Sequence, residues 1–269
     1  MVDTAAELRR SLAAPRVLMY HFFGPPPPGG DPDRQFVSER ALCGQLDLLA
    51  RGGWNPIGLD EYLAWWDGAR LPRRSFLLTI DDAHDSVAPI AAPLLRRAGV
   101  PFVLFVPSGL VGGPASWLTE YPGERVATAE VLRSLAGADV ELGVHGFDHT
   151  RMVDMDRETL HLHASVARER LEELTGQRAR AFAYPYGTHD PAGRQAVADA
   201  GYEVAFAVAR EGGRFARWRI CVDGNDRLPV FRWKLTPAYA SISLAAGRMP
   251  GLRHRVRAVV GAVTGRPAD

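Results

Sequence analysis

Ser75-Phe-Leu-Leu-Thr-Ile-Asp-Asp-Ala-His-Asp85 is the stretch on which the reading of this chain turns. Phe76 to Ile80 is a short apolar run bounded by polar residues, the pattern of a parallel strand covered on both faces. It runs directly into two adjacent carboxylates, Asp81 and Asp82. Two acids at the end of a buried strand repel each other and lose hydration. The placement is unfavourable unless something offsets it, most simply a divalent cation on one of them. A solvated loop beginning Asp-Asp is the alternative on this stretch alone, and a second constellation downstream weighs against it.

On either side of this strand the pattern repeats. Val17-Leu-Met-Tyr-His21 reads as a first strand ending in a histidine, followed by the loop Gly24-Pro-Pro-Pro-Pro-Gly-Gly30. Ser38 is placed to cap a helix to about Ala50, stopped by Gly52-Gly53, and Asp60 to cap a shorter one. After the aspartates come a helix ending at Gly99, the strand Pro101–Val106, and a Gly- and Pro-rich loop from Ser108 to Gly123 that suits the rim of a binding site. A helix from Thr128 to Leu135 and a strand from Val140 to Val144 lead into His145-Gly-Phe-Asp-His149. Asp156 caps a long amphipathic helix ended by Gly176. The strand Ala181–Tyr184 runs into Pro185-Tyr186-Gly187, Asp190-Pro191 opens another helix, and Tyr202–Val208 is a further strand. Buried strands alternating with helices argue a parallel α/β architecture, and this many units favour a closed barrel over an open sheet.

At 269 residues the chain suits one large domain or two small ones. Its formal net charge of +1 gives no hint of a nucleic-acid partner. The two cysteines, Cys43 and Cys221, read as core packing. The expected division is a barrel domain over 1–247 and a basic amphipathic helix or tail over 248–269. That tail mixes Arg248, Arg253, Arg255, Arg257 and Arg266 with Leu252, Val256, Val259, Val260 and Val263. A helix docked on the barrel is the favoured reading of the tail, and peripheral contact with anionic lipid the sharper one. Charges throughout the amino terminus and the lack of a long apolar segment make a cytoplasmic protein the default expectation.

The chemistry rests on histidines and aspartates that share strand ends. His145 and His149 are spaced i, i+4, which in a helical turn sets two imidazoles within reach of one ion. Two histidines and one carboxylate, either Asp81 or Asp82, make a zinc set with open positions, and the other aspartate would then be a general base. Both groups fall at the mouth where barrel enzymes hold their sites. His161, His163 and His254 lie in predicted amphipathic helices and read as structural, whereas His84 and His189 are left undecided.

These residues carry a resemblance to the polysaccharide deacetylases (the NodB-homology group, carbohydrate esterase family 4) over about residues 15 to 235. Thr79-Ile-Asp-Asp-Ala83 looks like the family's first motif, His145 and His149 match the histidines of its second, and Phe182-Ala-Tyr-Pro-Tyr-Gly187 matches its third. The resemblance implies a distorted (β/α) barrel, probably seven-stranded, and metal-dependent removal of an acetyl group from an N-acetylated amino sugar. It implies Asp81 as base, and Asp82, His145 and His149 as ligands of Zn²⁺ or another divalent ion such as Co²⁺, Mn²⁺ or Ni²⁺. The backbone N–H of Tyr186 would help form the oxyanion hole, with Tyr184, Pro185 and Gly187 as substrate-binding neighbours. The family's C-terminal histidine motif is absent. Leu18-Met-Tyr-His21 resembles the element that replaces it in a circularly permuted, exopolysaccharide-deacetylase-like branch, which implies His21 as the acid. Three departures stand out: Ala83 for a glycine, Gly146 for a hydroxyl residue, and Ala183 where many members carry an arginine that orients the base. Two other readings compete: a carbohydrate-binding barrel without catalysis, and a metal-free hydrolase of cyclic ureides or imides.

Overall fold

The apolar runs become parallel strands because each needs cover on both faces and a backbone partner on each side. A computed structural model describes residues 14–119, 123–208 and 213–248 of the chain. The strands are β1 Arg16–Tyr20, β2 Phe22–Phe23, β3 Phe36–Val37, β4 Asn55–Pro56, β5 Ser75–Ile80, β6 Phe102–Val106, β7 Val140–Val144, β8 Ala181–Ala183, β9 Val204–Ala207, β10 Arg217–Trp218 and β11 Ile220–Cys221. One parallel sheet runs β10-β9-β8-β7-β6-β5-β1-β11, with β4 on β5 and a separate pair β2–β3. β10 and β11 are two ends of one bent segment. The Arg219 N–H bonds to Ala207 O on one side, and the Val222 N–H to Met19 O on the other. That segment joins the two edges of the sheet, so seven strands (β1, β5, β6, β7, β8, β9 and β10–β11) ring the core of an α/β barrel.

Register then decides where the polar residues go. Tyr20 pairs with Ile80, Ile80 with Leu104, Val106 with Val144, and Ala183 with Phe206. The ladder extends one residue beyond the strands through Asp81 N to Tyr20 O and His145 N to Val106 O. Because every strand points the same way, the residues that follow them gather at one mouth. Beneath it Leu77, Leu78, Val103, Phe105, Leu142, Phe182 and Phe206 are all buried, on one face of the sheet or the other.

The helices are α1 Glu39–Arg51, α2 Leu59–Trp66, α3 Ala92–Arg97, α4 Ala129–Leu135, α5 Arg157–His161, α6 Ala167–Thr175, α7 Pro191–Asp199, α8 Leu228–Lys234 and α9 Pro237–Arg248. Caps stand where expected at Ser38, Asp156 and Asp190, and Thr128, read as the first residue of its helix, is a cap as well; each accepts a backbone N–H of the first turn. α2 differs: Gly58 is its cap, with Glu61 Oε2 accepting the Gly58 N–H at 2.9 Å, and Asp60 falls inside the first turn. The long helix after Asp156 is interrupted by a π-helical turn, Leu162–Val166, between α5 and α6. Cys43 is exposed, not core: Leu42, Gln45, Leu46 and Leu49 form the buried face of α1, and Cys43 lies off it.

Residues 15–225 form one compact unit, and the described residues from 226 belong to a second. Within the second, Lys234 Nζ bonds Asp226 Oδ2 at 2.6 Å. The tail beyond residue 248, and His254 with it, lies outside the described residues. Among the described residues no helix is long and apolar enough to cross a membrane.

Candidate active site

β5 delivers Asp81 and Asp82 to the mouth, where both are buried. Asp82 has φ 70° and Ala83 φ 46°. Left-handed backbone at residues other than glycine costs on the order of 1–3 kcal/mol each and gathers at functional sites. This is where the missing glycine at position 83 tells: alanine takes the left-handed turn that glycine would adopt without strain.

Asp81 faces a partner that the motifs did not disclose. Arg219, 1% exposed, sets Nη1 2.6 Å from Asp81 Oδ1 and Nη2 2.7 Å from Oδ2, and its Nη1 lies 3.2 Å from Thr79 Oγ1. This bidentate pairing fixes both carboxylate oxygens in one plane. The guanidinium enters from the segment that closes the barrel, not from position 183, and lies 5.6 Å from the Phe105 ring. Burial pushes the Asp81 carboxyl up, but Arg219 and then His145 outweigh it and hold the group below the usual carboxylate range.

Asp82 turns toward the histidines. Its Oδ1 lies 3.4 Å from His145 Nε2 and 3.2 Å from His149 Nε2, and it is buried with no hydrogen-bond partner. His145 Nδ1 is 2.7 Å from Ala183 O; that bond places a proton on Nδ1 and turns Nε2 toward Asp82. The two histidines do not share a helical turn. Residues 145–149 form an irregular bend in which Gly146 (φ 73°) and His149 (φ 67°) are left-handed, and this reversal brings the second imidazole back. Burial opposes ionisation of Asp82, yet His149 and His145 hold its carboxyl well below the usual range. His145 is raised because its two aspartate neighbours outweigh burial, whereas burial prevails at His149 and lowers it.

One ligand atom from each of Asp82, His145 and His149 lies within 4.8 Å of the others, all three side chains buried. A carboxylate oxygen aimed at two imidazole nitrogens, none of them otherwise satisfied by a good donor, fits a borderline divalent cation such as zinc.

The His149 ring stacks on Trp117 at 4.3 Å and meets Tyr186 at 4.6 Å. A cleft of about 510 Å³ adjoins it, lined by Ser116, Trp117, Asp148, His149, Arg151 and Tyr186. Tyr186 is left-handed (φ 57°) and 45% exposed, with the Arg151 guanidinium 3.8 Å over its ring. Tyr184, Pro185 and Gly187 are buried around it: the Tyr184 hydroxyl donates to Phe215 O, and a Cβ at Gly187 would lie 2.4 Å from Val208. His21 follows β1, half-buried, at the same mouth as Asp81 and Asp82.

The undecided histidines are used elsewhere. His84 bonds Glu124 through Nε2 and Ser86 Oγ through Nδ1 at 2.7 Å, so both ring nitrogens are committed. His189 packs on Tyr184 at 4.5 Å. Arg219 and Trp117 were missed. The first had a signal, a charged residue between Trp218 and the apolar run Ile220-Cys221-Val222; the second had only its place in the loop from Ser108 to Gly123 that suits the rim of a site.

The polysaccharide deacetylase profile matches residues 68–205, just over half of the chain. The matched range holds Asp81, Asp82, His145, His149 and Tyr186; His21 and Arg219 lie outside it. No curated protein matches. Among solved structures the chain is similar to the deacetylase PplD of Streptococcus pyogenes, solved in complex with acetate, at 19% identity and TM-score 0.71, covering 83% of this chain and 98% of that one. IcaB from Ammonifex degensii is similar at 25% identity and TM-score 0.70 with the same coverage. The deacetylase domain of BpsB from Bordetella bronchiseptica is similar at 21% identity and TM-score 0.63, over 78% of this chain and 96% of that one. With a family profile across its first, second and third motifs and a shared barrel, the chain belongs to the polysaccharide deacetylase family.

Proposed function

We propose that the chain is a metal-dependent N-deacetylase that hydrolyses the acetamide of an N-acetylated amino sugar. The observation that carries this reading is the buried convergence of Asp82, His145 and His149 beside an aspartate held by Arg219. Asp82, His145 and His149 would hold the ion, whose contribution when bound is to polarise the acetyl carbonyl and acidify water.

The remaining work falls to the chain's own groups. Asp81 is kept ionised by Arg219, and each of its oxygens retains a lone pair beyond the one Arg219 occupies. It takes a proton from the attacking water as the oxygen adds to the carbonyl carbon. The Tyr186 N–H receives the developing oxyanion, a contribution that is usually among the largest in acyl transfer. The amine cannot leave as an anion, so as the C–N bond breaks a proton must reach nitrogen, and His21 at the same mouth is the group assigned to deliver it. The products are acetate and a free amino sugar. Trp117 and Tyr186 flank the cleft with aromatic faces on which a sugar ring can rest.

The test is metal content by elemental analysis of the purified chain, with acetate release from N-acetylated glycan fragments and from lipid- and nucleotide-linked amino sugars. About one ion per chain, lost together with turnover in His145→Ala and His149→Ala but kept in His161→Ala, is the expected result. Full metal in the first two variants, or wild-type turnover after exhaustive chelation, would sink the assignment.

A further inference from the structure

We propose that His163, a helix residue distant in sequence from the ligands, is the positioning residue of the metal-binding bend. Its consequence for metal rests on the reading above; its geometry does not. His163 is 2% exposed and sits in the π-helical turn Leu162–Val166. Single π-helical turns inside α-helices recur at functional sites. Its Nδ1 lies 3.2 Å from the Phe147 N–H and accepts from it, while Nε2 faces Asp148 Oδ1 at 3.6 Å. An acceptor Nδ1 requires a neutral ring protonated on Nε2, and burial favours that state by pushing the imidazole down.

Within the bend, Asp148 Oδ1 accepts the Thr150 N–H at 3.0 Å, at the end away from the central peptide. Gly146 carries no side chain, and a Cβ built there would stand 3.2 Å from His163 Nδ1 and 3.2 Å from Pro185 Cγ. On the other side the carbonyls are already held: Gly146 O accepts Ser108 N–H at 3.2 Å and Phe147 O accepts Gly109 N–H at 2.7 Å. A Cβ at Gly109 would fall 2.4 Å from the Phe147 ring, so that side is packed close. Two carbonyls are pinned by the turn after β6, and the Phe147 N–H is pinned by His163. The peptide at the centre of His145-Gly-Phe-Asp-His149 is thereby clamped from both sides. With its centre fixed, the left-handed residue His149 returns to within 3.2 Å of Asp82. His163 therefore acts on the metal through the bend, without touching it.

The experiment compares His163→Leu, which fills the site without an acceptor, with His163→Asn. The asparagine Oδ1 stands the same number of bonds from Cα as Nδ1. In the metal-free full chain, amide exchange at Phe147 should quicken about ten-fold or more in His163→Leu and stay near wild type in His163→Asn, since one lost bond of about 1.4 kcal/mol is a factor of ten. Zinc affinity, by chelator competition, should fall about 10- to 100-fold in His163→Leu and stay within a few-fold in His163→Asn, the usual effect of losing a partner behind a ligand. Unchanged Phe147 exchange in His163→Leu overturns the hydrogen bond whatever the metal does. Altered exchange with unaltered zinc affinity overturns the positioning role, as does equal loss in both variants. A wild type that holds zinc normally while the variants match it defeats this inference alone; a wild type that holds none defeats the metal reading and the positioning role together.

Discussion

The barrel has a cluster of charges at each end, and they are built differently. At the mouth, Asp81, Asp82, His145 and Arg219 are all no more than 3% exposed, and Asp82, Ala83 and His149 take left-handed backbone. At the opposite end Arg180, just before β8, bonds Glu141 of β7 at 2.9 Å and Asp60 of α2 at 2.7 Å, with the three side chains 21%, 20% and 84% exposed. None of these three has a positive φ. The lower cluster is closed: every charge meets an opposite charge with water still at hand. The upper one closes only the Asp81–Arg219 half and leaves Asp82 Oδ1 and His149 Nδ1 without hydrogen-bond partners. A buried acceptor left open, on strained backbone, is a costly arrangement for stability alone, and chemistry at the carboxyl ends of barrel strands accounts for it.

Four changes would sharpen or break this contrast. Asp81→Asn should retain metal but lower turnover about 10²- to 10⁴-fold, the usual worth of a positioned base, while Glu141→Gln at the lower end leaves turnover unchanged. Equal turnover in Asp81→Asn and wild type would remove the base from the mouth. Arg219→Met leaves a buried carboxylate without its cation and should destabilise the fold by about 3–5 kcal/mol in urea unfolding. A loss near zero would show that Asp81 finds another partner.

The third change is in pH. Asp81 and Asp82 have folded-state values below their unfolded ones, so their stabilisation is present above the unfolded value, about pH 4, and disappears as pH falls through the folded values. In chelator-treated protein, the drop in urea midpoint from about pH 5 toward pH 2 should be shallower in Asp81→Asn than in wild type. An identical drop would mean that Asp81 titrates alike in both states. The smallest effect belongs to Arg180→Met, a partly exposed network expected to be worth about 1 kcal/mol or less. A loss as large as that of Arg219→Met would erase the distinction between the two ends.

The legible parts of this molecule are those written locally. Phe76 to Ile80 of β5 and all of β6 are short apolar runs, and the caps at Ser38, Thr128, Asp156 and Asp190 are side chains that act within one turn of themselves. His145 and His149 were found by spacing, although the reason for it was different: an irregular bend with two left-handed residues performs what a helical turn was expected to do. Arg219 escaped because its partner lies 138 positions away, and nothing near it in sequence says that the segment carrying it crosses from β9 to β1. The helical pattern reads His163 as structural, and a period of 3.6 does not show the π-helical turn it occupies. Cys43 was misplaced for a simpler reason. One position along a helix is about 100° of rotation, enough to carry a residue off the buried face beside Leu42.

Closure of the ring by Arg217–Cys221 has a consequence for how the chain comes into being. β1 is made first, yet one of its edges waits for β11: Leu18 meets Ile220 about 200 residues later. Until then a growing chain can pair β1 with β5 and bury Asp81, while Arg219, the cation set against both of that side chain's oxygens, is still unmade or inside the ribosome. The early half-barrel thus carries an open edge and an unpaired acid, two features that favour wandering or mispaired intermediates. Docking of the last segment cures both in one event. Assembly of the mouth and completion of the fold are for this chain a single late step, and a fragment ending before Arg219 would acquire neither.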